Sequence, residues 1–276
     1  MNIARNLPPA DPSMRRAFVP TMGALHDGHR ELMRAARDQV GDNGEVVVSV
    51  FVNPTQFAAG EDFDAYPRTM DADEAVCRRE GVDLLYVPTV EDVYGTGEMD
   101  ARVSVDPGPL GHELEGASRP DHFRGVLSVV ALLFNKVQPA VAIFGEKDYQ
   151  QLELIRRMND DLGFGIDIVG VDTVRDGDGL ALSSRNTYLS QAERSQATAI
   201  PRALSAVQES AHLGVESARE AALVVLNDAG VTIDYLEVRS PDFGTPPSFG
   251  EARLLIACVV GTTRLIDNCA LELGKR

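Results

Sequence analysis

Residues Pro20 to His29 read Pro-Thr-Met-Gly-Ala-Leu-His-Asp-Gly-His, with His26 and His29 three positions apart around Gly28. Two imidazoles at that spacing can stabilise charge on a reacting phosphorus centre or move a proton there. Gly23 and Gly28 let backbone approach a phosphate where a Cβ would obstruct it. The flanks show what must position these groups. Ala17-Phe18-Val19 reads as a short buried strand, and Leu32, Met33, Ala35, Ala36 and Val40 recur at helical spacing. The histidines are therefore predicted on a turn that opens a helix. There, unbonded N–H groups and the positive end of the helix dipole make an anion site. The combination suits nucleotide transfer. On this segment alone, an ordinary polar helix start and a metal-binding pair stay open as other readings.

Two further polar clusters also follow strand-like runs. Val52 leads into Asn53-Pro54-Thr55-Gln56-Phe57, and Phe144 into Gly145-Glu146-Lys147-Asp148-Tyr149-Gln150-Gln151. The chain has 26 basic residues, of which only Lys136, Lys147 and Lys275 are lysines. Against that arginine bias, Lys147 offers a compact ammonium that can follow charge building on phosphate oxygens, or simply a solvated partner for Glu146 or Asp148. Ser183-Ser184-Arg185, on a glycine-flanked loop, can chelate phosphate oxygens or serve as an ordinary capping sequence. Gln56 and Gln151 can donate and accept hydrogen bonds without charge, which suits a substrate carrying hydroxyl and carboxylate groups. Arg119, His122 and Arg124 stand beside Asp121 and can line an opposite wall or equally form a solvated helix start. Asp71 and Asp73 begin a helix, where acids are favourable in any case; Asp73 could also share a Mg²⁺ with substrate phosphates.

Composition limits the partners. The chain of 276 residues is long enough for one large or two ordinary domains. Its net charge of −16 argues against a general nucleic-acid or anionic-membrane surface. An anionic substrate must instead meet a local cluster of cations and N–H groups. Cys77, Cys258 and Cys269 are too few and scattered for a disulfide framework, which fits a reducing cytoplasm. The longest apolar stretch considered, Val126 to Phe134, is too short to span a bilayer, and the N-terminus has no apolar signal core. A soluble cytoplasmic protein is expected.

Strand-like and helical patterns alternate through the first two-thirds. Strands are expected at 45–52, 83–87, 140–144 and 166–171, and helices at 70–80, 122–137 and 149–162. This alternation implies βα units and a doubly wound, Rossmann-like parallel sheet, with ligands beyond the carboxyl ends of the strands. After Val174 the character changes. Arg175 to Gly179 reads as a flexible polar turn, followed by helices at 191–213 and 216–229 and strands at 232–238, 253–260 and 263–266. Residues 1–174 are expected to form the nucleotide- and substrate-binding domain, and 175–276 a small α+β lid. Residues 1–16 read as an irregular arm.

Taken in order, PTMGALHDGH, SVFVNPTQF, EDFDAYPRT, ELEGASRPDHFRGV, FGEKDYQQL, LALSSRNTYLS and GTTRLIDN resemble the pantothenate synthetases (pantoate–β-alanine ligases) of the HxGH nucleotidylyltransferase superfamily. The likeness runs from about Phe18 to the C-terminus. It implies a homodimer and a two-step reaction. Pantoate attacks the α-phosphate of MgATP to give pantoyl adenylate and pyrophosphate, and β-alanine then displaces AMP to give pantothenate. By this resemblance Met22, Gly23, Ala24, Leu25, His26, Asp27, Gly28 and His29 bind ATP, with His29 the proton donor and His26 a stabiliser of the transferring phosphate. Gly145, Glu146, Lys147, Asp148, Val174, Leu182, Ser183, Ser184 and Arg185 also contact ATP, Lys147 and Arg185 neutralising phosphate charge. Gln56 and Gln151 hold pantoate, with Asn53, Arg119 and His122 nearby, and Mg²⁺ is the implied cofactor.

The chain departs from the family in being shorter before Phe18. It also has Ala58 where glycine is common, Ala72 where some members have an acid, and Leu182 for methionine, a volume-conserving change. A nucleotidylyltransferase acting on another acceptor is the nearest alternative activity. A metal- or nucleotide-binding module without catalysis is the alternative of a different class, although the ligand spacing of structural zinc is missing.

Overall fold

The computed structural model describes residues 1–9, 11–57, 63–95 and 103–274; Ala58 and Lys275 lie outside the described residues. Its first part runs β1 (Asn2–Ala4), β2 (Arg16–Thr21), α1 (Asp27–Val40), β3 (Glu45–Val50), α2 (Met70–Arg79), β4 (Leu84–Tyr86), α3 (Val90–Tyr94), α4 (Glu115–Ser118), α5 (His122–Val137), β5 (Val141–Gly145), α6 (Tyr149–Asp161) and β6 (Asp167–Val171). All six strands are parallel, in the order β1-β4-β3-β2-β5-β6. Apart from β1 this is the doubly wound, Rossmann-like arrangement expected from the alternating pattern. Val46, Val47 and Val48 are all buried, as a strand covered on both faces requires.

The order reverses between β2 and β5. From β2 the chain first builds outward through β3 and β4, then returns to lay β5 on the other side. β2 pairs with β3 as far as Thr21↔Val50, whereas its pairing with β5 is confined to Ala17↔Val141 and Phe18↔Ala142. Pro20 therefore falls where one neighbour has already left the ladder, a position that tolerates its missing N–H. The crevice opened there leads straight into the histidine turn.

α5 is apolar on nearly every side and is buried along most of its length, with Phe123, Val126, Leu127, Val130, Leu133, Phe134 and Val137 all inside. α1 and α2 are joined by a buried carboxylate. Glu80 accepts from Arg30 Nε at 2.6 Å and Arg34 Nε at 2.8 Å. Burial raises its pKa, but the two guanidinium bonds outweigh that and hold it below its ordinary value. The pair thus contributes fully above pH 4.5, the ordinary value, and is lost as pH falls through the depressed folded value. Glu80→Gln is expected to lower the melting temperature at neutral pH by several degrees, through about 2 kcal/mol of lost charged hydrogen bonding. Thermal melts from pH 3 to 7 check this, with the difference from the parent shrinking toward the acid end.

Residues Met1–Glu146 with Gln150–Asp172 form one compact unit, and Lys147–Tyr149 with Thr173–Arg276 a second. The second contains α7 (Gln191–Ala197), α8 (Ala199–Ser210), α9 (Val215–Asp228), β7 (Thr232–Arg239), β8 (Gly250–Val260) and β9 (Thr263–Leu273). β7-β8-β9 is an antiparallel sheet, and its core gathers Ile200, Leu204, Leu226, Leu254 and Ile256 from helices and strands alike. Burial pushes the thiols of Cys77, Cys258 and Cys269 up to about 12, and no pair is bonded.

Three local expectations need correction. The arm at 1–16 contains β1, paired Asn2↔Leu84 to Ala4↔Tyr86, and Arg16 already belongs to β2. The helix expected over 191–213 is two, broken at Thr198 and followed by a 3₁₀ turn at Ala211–Leu213. Pro201 lies in the first turn of α8, the region where a missing N–H is harmless, so a new helix start precedes it. The strand expected over 263–266 continues to Leu273 as β9; in the Arg175–Gly179 turn, Arg194 binds Asp176 at 2.6 Å and Asp178 at 2.7 Å. Among the described residues no helix is long and apolar enough to cross a membrane.

Candidate active site

The histidine turn is locked at its helix start by its own imidazoles. His26 is the N-cap of α1, and its Nδ1 accepts from Gly28 N–H at 3.2 Å. His29 Nδ1 in turn accepts from His26 N–H at 3.3 Å, and the two ring centroids lie 4.1 Å apart. A nitrogen that accepts carries no proton, so each neutral ring is the Nε2–H tautomer. The turn thus holds two imidazole donors beside the positive end of α1. Gly28 is required here because a Cβ would stand 2.9 Å from His26 Cε1.

Beneath the turn lies Asp73, only 2% exposed on the first turn of α2. One carboxylate oxygen accepts from Ala24 N–H at 3.1 Å, the other from Leu25 N–H at 2.8 Å and Thr69 Oγ1 at 3.2 Å. Gly23 has φ +84°, and a Cβ there would sit 2.9 Å from Asp73 Oδ2 and 3.0 Å from Val50 Cγ1. Ala24 follows with φ +50°. Asp73 therefore braces a left-handed stretch of backbone. Three hydrogen-bond donors already engage its two oxygens, which suits a brace for the turn.

Gln56 is positioned by an equally local network. Asn53, 1% exposed, accepts from Thr55 N–H, Thr55 Oγ1 and Tyr94 OH. Its Nδ2 donates to Gln56 Oε1 at 3.0 Å and to the carbonyl of Gly125 at 3.3 Å. α5 can approach this closely because residue 125 is glycine; a Cβ there would lie 2.2 Å from the Thr55 carbonyl oxygen. The Gln56 carbonyl receives His122 Nδ1 at 2.9 Å and Arg119 Nη2 at 3.3 Å, while Arg119 Nη1 lies 3.1 Å from His122 Nε2. Arginine only donates, so His122 accepts at Nε2 and donates at Nδ1. Asn53, Arg119 and His122, expected beside the substrate, thus bond the Gln56 loop itself.

The two adjacent glutamines divide their work. Gln150 is buried; its Oε1 accepts from Glu115 N–H at 3.1 Å and its Nε2 donates to the carbonyls of Leu110 and Glu113. Arg119 N–H then bonds Glu115 and His122 N–H bonds Arg119. A continuous chain of hydrogen bonds so connects α6, which carries half-exposed Gln151, to the carbonyl of Gln56. Gly145 and Glu146 complete the first unit's candidates at the end of β5.

In the second unit, Val174 and Leu182 face each other through Leu182 N–H to Val174 O at 2.9 Å, and Arg175↔Ala181 is a bridge. Ser183 caps the 3₁₀ turn Ser184–Tyr188, accepting from Arg185 N–H at 3.3 Å. Lys147 is half-buried and Asp148 exposed, their charged atoms 4.0 Å apart. Among the described residues, no group of three or more His, Cys, Asp or Glu side chains could hold a metal ion.

The sequence profile for pantoate-beta-alanine ligase matches residues 4–270. The chain belongs to the pantoate-beta-alanine ligase family. A pantothenate synthetase from Nocardioides sp. strain JS614 is 56% identical over 267 residues, covering 94% of this chain and 79% of that one. The crystal structure of pantothenate synthetase from Thermus thermophilus superposes with a TM-score of 0.90 at 47% identity, covering 98% of this chain and 99% of that one. That of the Francisella tularensis pantoate-beta-alanine ligase, complexed with beta-gamma ATP and beta-alanine, gives 0.79 at 32% identity, over 98% and 97%. Membership of the pantoate-beta-alanine ligase family covers both units, so the histidine turn and the Ser183–Arg185 loop belong to one family pattern.

Proposed function

We propose that this chain joins pantoate to β-alanine at the expense of MgATP. A carboxylate oxygen of pantoate attacks the α-phosphorus, and the bond to the bridging oxygen of pyrophosphate breaks. The amine of β-alanine then attacks the acyl carbon of the adenylate, loses a proton, and expels AMP to leave the amide. The observation that carries this reading is the tautomer of the histidine turn. Two Nε2–H donors at a helix start can stabilise negative charge on a transferring phosphate by hydrogen bonding to it. His29 and His26 are the proposed donors, with Met22–Leu25, Asp27 and Gly28 forming the surrounding ATP-binding turn.

Lys147, Ser183, Ser184 and Arg185 are proposed to bind phosphate oxygens, with Gly145, Glu146, Asp148, Val174 and Leu182 as further ATP contacts. Gln56 and Gln151 are proposed to hold pantoate; an acceptor bearing a phosphate would call for cations where these amides stand. Mg²⁺ enters as part of MgATP. A homodimer in the cytoplasm and a lid role for the C-terminal residues belong to the same reading, supported by the family pattern and by three unpaired thiols.

Gln151→Leu is expected to raise the KM for pantoate about tenfold or more while changing that for ATP little, since it removes a polar contact to one substrate only. Equal losses for both substrates would remove its assigned role. The reading as a whole is tested by incubating purified protein with MgATP, pantoate and β-alanine, omitting each in turn. Pantothenate, AMP and pyrophosphate from the complete mixture support it. A dinucleotide product with a phosphorylated acceptor would point to the other nucleotidylyltransferase activity.

A further inference from the structure

GTTRLIDN, at the start of β9, has so far no part in the chemistry, yet two of its side chains reach the segments proposed to bind phosphate. Asp267, only 3% exposed, takes a two-pronged bond from Arg175 Nη1 at 2.7 Å and Nη2 at 3.0 Å. Arg175 follows Val174 directly. Asn268 is also buried; its own N–H bonds Asp267 Oδ1 at 2.8 Å, and its Nδ2 donates to the backbone carbonyl of Lys147 at 2.9 Å. Its Oδ1 receives Arg253 Nη1. The same guanidinium lies 3.6 Å from the centroid of Tyr149, whose ring stacks on Phe243 and whose hydroxyl donates to Pro241 O at 3.2 Å. Lys147–Tyr149 is thus held at both ends by the second unit, to which it belongs.

We propose that Asn268 is a positioning residue for Lys147 in adenylate formation, with Arg253 as its support. The inference rests on the reading of Lys147 as a phosphate-binding cation. A lysine ammonium rides on a flexible four-carbon stem, so the reach of its charge is set by where its backbone is fixed. The Asn268 amide fixes that backbone at the carbonyl, and Asp267 beside it fixes Arg175 on the way to the Ser183–Arg185 loop. One dipeptide thereby secures two segments proposed to meet the same triphosphate.

Asn268→Asp keeps the size of the side chain and an acceptor for Arg253, but sets an oxygen against the Lys147 carbonyl. It is expected to slow pyrophosphate release from MgATP and pantoate about tenfold or more, as a misplacement near 1 Å can. Conversion of supplied pantoyl adenylate and β-alanine to pantothenate is expected to stay unchanged, which also shows that the variant is folded. In a Lys147→Ala background the same substitution is expected to have no further effect on pyrophosphate release. Arg253→Met should slow the same half-reaction less, and it carries the same comparison if Asn268→Asp does not fold. Equal factors with and without Lys147, or equal slowing of both half-reactions, would overturn the proposal. If Lys147→Ala leaves pyrophosphate release intact, the reading of Lys147 fails and the inference falls with it. If Lys147→Ala slows release and Asn268→Asp does not, only the inference fails.

Discussion

His29→Ala is expected to slow pyrophosphate release from MgATP and pantoate by about a thousandfold, toward the upper end of the range for losing one preorganised hydrogen-bond donor to developing charge. The expectation follows from the tautomer: with Nδ1 engaged by His26 N–H, His29 meets a phosphate through Nε2–H, a hydrogen-bond donor to the charge that develops there. A factor of a thousand is about 4 kcal/mol of transition-state stabilisation. Loss of the capping acceptor acts separately and costs about 1 kcal/mol of stability. A melting curve shifted by a few degrees beside the full kinetic loss is therefore the predicted pattern. Turnover within tenfold of the parent would remove His29 from the charge-stabilising role. His26→Ala is a weaker test, because His26 also caps Gly28 and its loss disturbs the turn itself.

Asp73→Ala is expected to combine a structural and a catalytic loss. It strips buried acceptors from Ala24 and Leu25 N–H, at about 1–3 kcal/mol for each donor left unsatisfied. The left-handed residues Gly23 and Ala24 then lose what holds them, and the loop carrying His26 shifts. A fall in stability of about 3 kcal/mol and a loss near a hundredfold in pyrophosphate release are predicted. Asp73→Asn, which keeps one acceptor, should fall between. Raising Mg²⁺ discriminates a brace from a cation ligand: a brace predicts no recovery, whereas restoration of the Asp73→Ala rate at high Mg²⁺ would contradict it.

The parallel sheet was legible because its strands are short β-branched runs with helical patterns between them. Val46–Val48 and Ile143–Phe144 could hardly be anything else. α5 and the histidine turn were readable for the same reason: their signals are local. β1 was not, since Asn2–Ala4 becomes a strand only by finding Leu84–Tyr86 far along the chain. The break at Thr198 was signalled by Pro201, whose missing N–H marks a helix start, but the helix-favouring residues Ala197, Ala199 and Ala203 around it mask that mark. In the site, residue types pointed to the chemical groups but not to their supports. Asp73 reads as a helix-start acid and Gln150 as a twin of Gln151. Their roles come from partners 35 to 49 positions away. Asn53, Arg119 and His122 carry groups that suit a substrate equally well, and only the fold turns them onto Gln56.

The measurement that meets the central claim most directly is the fate of carboxylate oxygen. Pantoate labelled with ¹⁸O in both carboxylate positions, converted with MgATP and β-alanine, is predicted to deliver one labelled oxygen to AMP and none to pyrophosphate, because the acyl–oxygen bond is the one that β-alanine breaks. Label in inorganic phosphate, with ADP as the nucleotide product, would contradict an adenylate and place the attack on the terminal phosphorus instead.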